Sequence, residues 1–132
     1  MLTVYTAAAS AERDRARAAI QLVASTPGMC VALDWVREMD ESPQHELELP
    51  WERQADIAAR CLAAARKCDV LWFLVPELPS RGAWIELGAA MATGFVHIIA
   101  SGRHTTAFLA HERIDERYPD DLRAFERLRA LR

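Results

Sequence analysis

The stretch DVLWFLV, residues 69–75, decides the fold. Every residue after Asp69 is apolar, without the alternation of a strand that shows one side to water. A continuous apolar run of this length reads as a central parallel strand covered on both faces. Parallel strands need crossover helices between them. Upstream, residues 51–67 carry Ile57, Cys61 and Ala64 at helical spacing, flanked by Ala58, Leu62 and Ala65. Downstream, PELPSRG is a loop, and a helix over 81–93 stops at Gly94, a natural C′ residue.

Working outward, LTVYT (2–6) reads as a strand. Ser10 fits an N-cap, with Glu12 and Asp14 in the first turn of a helix over 11–24. Its buried side is Ala16, Ala19, Ile20 and Val23, and Pro27-Gly28 break it. MCVALDW (29–35) is a second strand, and residues 36–50 are a long polar connection with two prolines. FVHIIA (95–100) is a fourth strand, and a weak fifth falls near Thr106–Leu109. Pro119 opens a last helix with Leu122, Phe125, Leu128 and Leu131 as its buried stripe.

This alternation predicts one flavodoxin-like or Rossmann-like α/β domain over residues 1–132. Its form is a three-layer sandwich around a parallel sheet of four or five strands. Ligands in such sheets bind beyond the C-terminal strand ends. Three loops leave those ends: Thr6–Ser10, the segment from Asp34 onward, and Pro76–Arg81.

Bulk properties narrow the class. A chain of 132 residues with net charge −3 suits one domain and gives no basic footprint for nucleic acid. No apolar run reaches the ~18 residues of a membrane span. The opening MLTVYTAAAS lacks the basic start of a signal peptide, so a soluble cytoplasmic protein is expected. Three cysteines without a CxxC read as free thiols, and four histidines show no ligand spacing. No metal and no organic cofactor is expected.

The segment SRGAWIELGAAMATG (80–94) holds the residue that invites a functional reading. Glu86 is the only ionisable residue between Gly82 and Val96, and its same-face neighbours are glycine and alanine. It either faces water at a helix edge or sits in a pocket with a task, since a buried carboxylate without a partner costs several kcal/mol. Ser80 and Gly82 are a cap and a turn glycine, or donors to an anion at a helix N-terminus. Tyr5 reads first as packing at the end of its strand. Asp34 and Trp35 are a turn acid and a covering indole, or a ligand edge for a base or sugar. Asp56 and Arg60 form an ordinary i,i+4 surface pair.

From Cys61 to Gly94 the chain resembles the nucleoside 2-deoxyribosyltransferase superfamily, and most of all its 2′-deoxynucleoside 5′-monophosphate N-glycosidase branch. The matching motifs are Asp69-Val70, Pro79-Ser80-Arg81-Gly82 and Glu86-Leu87-Gly88, with Val4-Tyr5 fitting the first strand. The resemblance implies that Glu86 is a nucleophile toward C1′ of the sugar, forming a glycosyl ester that water or a second base resolves. It implies a nucleotide or nucleoside substrate and a homo-oligomer whose sites are completed by a neighbour. It also implies substrate contacts from Tyr5, Ser80, Gly82 and the Asp34–Trp35 edge. Ser80, where nucleoside transferases tend to carry an aspartate, points to a 5′-phosphate and hydrolysis. In place of the family's glycine-rich loop stands Thr6-Ala7-Ala8-Ala9-Ser10. Its alanines allow close backbone approach, and Thr6 and Ser10 offer donors to a phosphate. One departure is chemical: the family's base-contacting aspartate, eight residues before the Asp-Val pair, is here Cys61. Asp34 is then the first candidate for a substitute acid. The alternatives are a nucleotide-binding module without turnover, a base-exchange transferase and a structural subunit.

Overall fold

The computed structural model describes residues 1–42 and 45–131. Strand β1 (Leu2–Ala7) leads through a 3-10 turn at Ser10–Glu12 into α1 (Arg13–Ala24). Strand β2 (Met29–Val31) is followed by α2 (Trp35–Glu41), a 3-10 turn at Glu46–Glu48 and α3 (Trp51–Lys67). Strand β3 (Val70–Leu74) passes to α4 (Gly82–Thr93) and β4 (His97–Ser101). A 3-10 turn at Ala107–Ala110, β5 (Glu116–Tyr118) and α5 (Asp121–Leu131) complete the order.

The sheet runs β2-β1-β3-β4-β5 with every neighbouring pair parallel. Successive β3 side chains point to opposite layers. Trp72 stacks on Phe125 of α5, with ring centroids 6.0 Å apart. Phe73 meets Trp84 of α4 edge-on at 5.0 Å. Helices α1 and α5 therefore cover one face and α3 and α4 the other. All five residues of β3 are buried, as the unbroken apolar run requires. At about 1.5–3 kcal/mol for each large apolar side chain, this strand anchors both layers.

The two ends of the sheet are tied differently. At the N-terminal edge, Thr3 donates from its backbone N–H and its hydroxyl to Asp69 Oδ2, at 2.8 and 2.7 Å. These bonds hold the Asp69 carboxyl below the usual range and fasten β1 to the start of β3. At the C-terminal edge, Arg15 of α1 donates to the carbonyls of Val75 (2.7 Å) and Ser101 (3.2 Å) and grips both oxygens of Asp121 on α5. Ser101, itself buried, accepts from Trp72 Nε1 and donates to Asp121.

Four expectations need correction. The second strand ends at Val31, because the Asp34 carboxylate accepts from Arg37 N and starts α2 inside the polar connection. Residues 43 and 44 of that connection lie outside the described residues. The fifth strand lies at Glu116–Tyr118, not at Thr106–Leu109, where the Thr106 hydroxyl caps a 3-10 turn instead. The helix over 11–24 starts at Arg13, and Ser10 opens the preceding turn without capping it. Leu122 is 64% exposed in the first turn of α5, which starts at Asp121 rather than Pro119 and buries Ala124, Phe125 and Leu128.

Candidate active site

The strand order reverses between β1 and β3, which opens a crevice above their C-terminal ends. Tyr5 of β1 pairs in register with Leu71 and projects toward α3 and α4. On α4, Ala83, Leu87 and Ala90 are buried against the sheet. Glu86 stands three residues after Ala83 and four before Ala90, on the shoulder of that stripe. The Tyr5 hydroxyl donates to Glu86 Oε2. Cys61 of α3 completes the group, its thiol within interaction distance of both.

Electrostatics follow from burial. Burial pushes the Glu86 carboxyl up to about 7, opposed by the Tyr5 hydrogen bond. Burial first, then the Glu86 charge, holds the Tyr5 phenol far above its ordinary value, so it stays a donor. The same two causes push the Cys61 thiol up to about 11. Among the described residues no arginine, lysine or histidine forms an ion pair with Glu86. Glu86 is half-buried because one side of its carboxylate opens onto a cavity of about 640 Å³. That volume suits a drug-sized or nucleotide-sized ligand.

The cavity has an apolar wall and a polar end. Ile57, Ala58, Cys61 and Leu62 of α3 form one side, with Trp35 and Met39 of α2 beside them. Polar groups come from Ser10 and Arg13 around the start of α1 and from Ser80, Arg81 and Gly82 at the start of α4. Ser80 Oγ accepts from Ala83 N at 3.3 Å and so caps the helix. Gly82 needs no positive φ, and a Cβ there would meet nothing within 4 Å. Its missing side chain leaves the backbone bare at the cavity rim. Arg13 pairs loosely with Asp40, at 3.3 Å.

The structure thus brings Tyr5, Trp35, Cys61, Ser80, Gly82 and Glu86 to one cavity. It does not bring Thr6, Ala7 or Asp34. Thr6 and Ala7 are buried in the sheet, and the Thr6 carbonyl accepts from Trp35 Nε1 at 2.9 Å. Asp34 spends its carboxylate on the α2 cap. Sequence reasoning passed over Arg13, Glu38, Met39 and Arg53, which also line the cavity. The i,i+4 spacing of Asp34 and Glu38 was the available signal, had α2 been read as a helix. Asp56 and Arg60 are the surface pair their spacing suggested, at 3.1 Å. No group of three or more His, Cys, Asp or Glu side chains among the described residues is gathered to hold a metal. No helix among them is long and apolar enough to cross a membrane.

No family model and no curated protein matches the chain. Among solved structures, Clostridium botulinum CMP N-glycosidase BcmB matches 98% of this chain and 97% of its own, with TM-score 0.54 and 16% identity. The three-layer architecture and all-parallel five-stranded sheet agree with that likeness. Over nearly its whole length the chain has the α/β fold on which a nucleotide N-glycosidase is built.

Proposed function

We propose that the protein cleaves the N-glycosidic bond of a nucleoside 5′-monophosphate or nucleoside, with Glu86 as nucleophile. The observation that carries the reading is the Glu86 carboxylate, open to the cavity and bonded to a phenol rather than a cation. A carboxylate free of a guanidinium keeps its charge for the cation-like sugar that develops as the C1′–N bond breaks. As C1′–N breaks, its electron pair leaves with the base, and a Glu86 oxygen bonds to C1′. Tyr5 goes on donating to the carboxyl group. Water then attacks C1′, the ester bond breaks, and Glu86 is restored. The water's hydroxyl ends on the sugar and its proton balances the departing base.

The polar end of the cavity supports a phosphate subsite. Ser80, Arg81 and the Gly82 backbone stand at the N-terminus of α4, where the helix dipole favours an anion, and Ser10 and Arg13 line the same cavity. The sugar then lies over Glu86 and the base against the apolar wall of α3. Exposed Leu47 (73%), Trp51 (79%) and Ile85 (59%), two of them lining the cavity, supply an apolar rim for a second copy of the chain. Incubation with a panel of nucleosides and nucleoside monophosphates, followed by chromatography for free base, tests the activity. Base release that Glu86→Gln abolishes is the expected result. Release that survives Glu86→Gln would defeat the assignment.

Cys61 favours a second reading. A thiol pushed up to about 11 stays neutral at pH 7 and replaces the carboxylate that the resemblance places beside the base. That loss suits a nucleotide-binding module without turnover. Calorimetric binding of nucleotides with no base released after long incubation would establish it. Appearance of a new nucleoside on adding an acceptor base would instead mark a transferase.

A further inference from the structure

The cavity contains a second carboxylate with a defined orientation. Glu38 lies on α2, one turn beyond Asp34, and lines the cavity beside Trp35 and Met39. Its Oε1 is gripped by Nη1 of Arg60, the residue before Cys61 on α3. Arg60 is fixed in turn by Asp56, at 3.1 Å. The Glu38–Arg60 pair therefore bridges α2 and α3 at a point where Glu38 reaches the cavity. Glu38 also bears electrostatically on the Cys61 thiol, which in turn feels Glu86. Among the described residues, Arg60 engages Glu38 through Oε1, which leaves Oε2 as an acceptor on a residue that lines the cavity. A carboxylate held by a guanidinium accepts hydrogen bonds and donates none.

We propose that Glu38 reads the base, accepting from an exocyclic amino group, and so selects amino-bearing bases over their oxo counterparts. The proposal rests on the pocket assignment above, though not on turnover. An amino group presents N–H to Oε2. A carbonyl in the same place meets it lone pair to lone pair, with no hydrogen bond between them. Sites built around a specific hydrogen bond reject the analogue lacking it far more strongly than apolar pockets reject a methylene. The neutral Cys61 thiol beside it adds a weak donor and no competing charge. This division of labour also accounts for a thiol at position 61: the carboxylate function is supplied from the adjoining helix α2, by a residue anchored to α3.

Matched nucleotide pairs make the test. CMP against UMP, and AMP against IMP, exchange an exocyclic amino group for oxo and turn the adjacent ring nitrogen from acceptor to donor. Affinities are measured by calorimetry on Glu86→Gln, where loss of turnover is the expected result, and on the double variant Glu86→Gln/Glu38→Gln. Base release is followed in parallel on the wild type and on Glu38→Gln. The expected result is an amino preference of about tenfold or more that shrinks to within about threefold when Glu38 becomes an amide able both to donate and to accept. The preference for CMP over cytidine, which reports the phosphate end, stays the same. Equal affinity for CMP and UMP, or a preference that Glu38→Gln leaves intact, overturns the proposal. An amino preference in binding with no base released upholds it and removes the glycosidase reading. Failure of all four nucleotides to bind removes both. Circular dichroism and melting of each variant confirm that α2 remains in place.

Discussion

Tyr5 on β1 and Glu86 on α4 are joined by one hydrogen bond that crosses from the sheet to the helix layer, with the phenol as donor. The bond does two things at once. It keeps a buried carboxylate from being wholly unsatisfied, and it opposes the burial that pushes that carboxyl up to about 7. Its position at the reversal of strand order makes it the centre of the candidate site.

Glu86→Gln should make the protein less sensitive to pH. A carboxyl raised in the folded state binds its proton more tightly there than in the unfolded chain. Stability is then full below the ordinary carboxylate range and falls as pH rises toward 7. The ceiling on this loss is about 3 kcal/mol, lowered by water in the open cavity. Melting curves from pH 4 to 8 should slope downward for the wild type across this window and run flatter for the variant. The variant should be the more stable protein at pH 8, and base release should drop by about three orders of magnitude or more.

Tyr5→Phe removes the donor and keeps the ring. The Glu86 carboxyl should then titrate about one unit higher, because a hydrogen bond to the charged form is lost. The acid limb of kcat/KM should move up in pH by that amount, with about a fivefold loss of rate at pH 7. A limb that stays in place would show that Glu86 is not the group being titrated.

Cys61 should react slowly despite lining an open cavity. A thiol at about 11 carries little thiolate at pH 8, so alkylation by iodoacetamide should be on the order of a hundredfold slower than for an ordinary free thiol. Peptide mass spectrometry over a time course measures it. Occupation of the cavity by a nucleotide should slow it further.

Ser80→Asp places a carboxylate at the start of α4. Affinity for nucleoside monophosphates should fall by about tenfold to a hundredfold, while affinity for nucleosides changes little. Calorimetry on one nucleotide and its nucleoside decides the matter. Equal losses for both would mean that Ser80 acts only as a cap, through its bond to Ala83 N.

The legible parts of the fold were those whose physics is local. β3 announced itself because burial on both faces leaves no polar position from Val70 to Leu74. Helix α4 and its end followed from alanine content and from Gly94, whose φ of +78° needs a glycine. β5 was hidden because a short edge strand of sequence ERY owes its place to pairing with β4, which local sequence does not encode. Helix α2 was hidden behind acidic residues, although Trp35 and Val36 bury one side of it. In the cavity, Glu86 stood out by contrast with its flanks. Glu38 did not, because a glutamate in a polar segment looks solvated until the partner helix is known.

The Arg15 knot has a consequence for the far end of the chain. Helix α5 contributes nothing to the cavity lining, yet its Asp121 holds the guanidinium that grips the carbonyl of Val75. Val75 leads directly into the segment that carries Ser80. A protease nick before Asp121 would remove one of the two carboxylates that hold Arg15 and leave Glu12 to hold it. The slack would be felt across the sheet, where Pro79 to Gly82 must stay still. The tail of the molecule thus acts as a tensioner for a pocket it never touches.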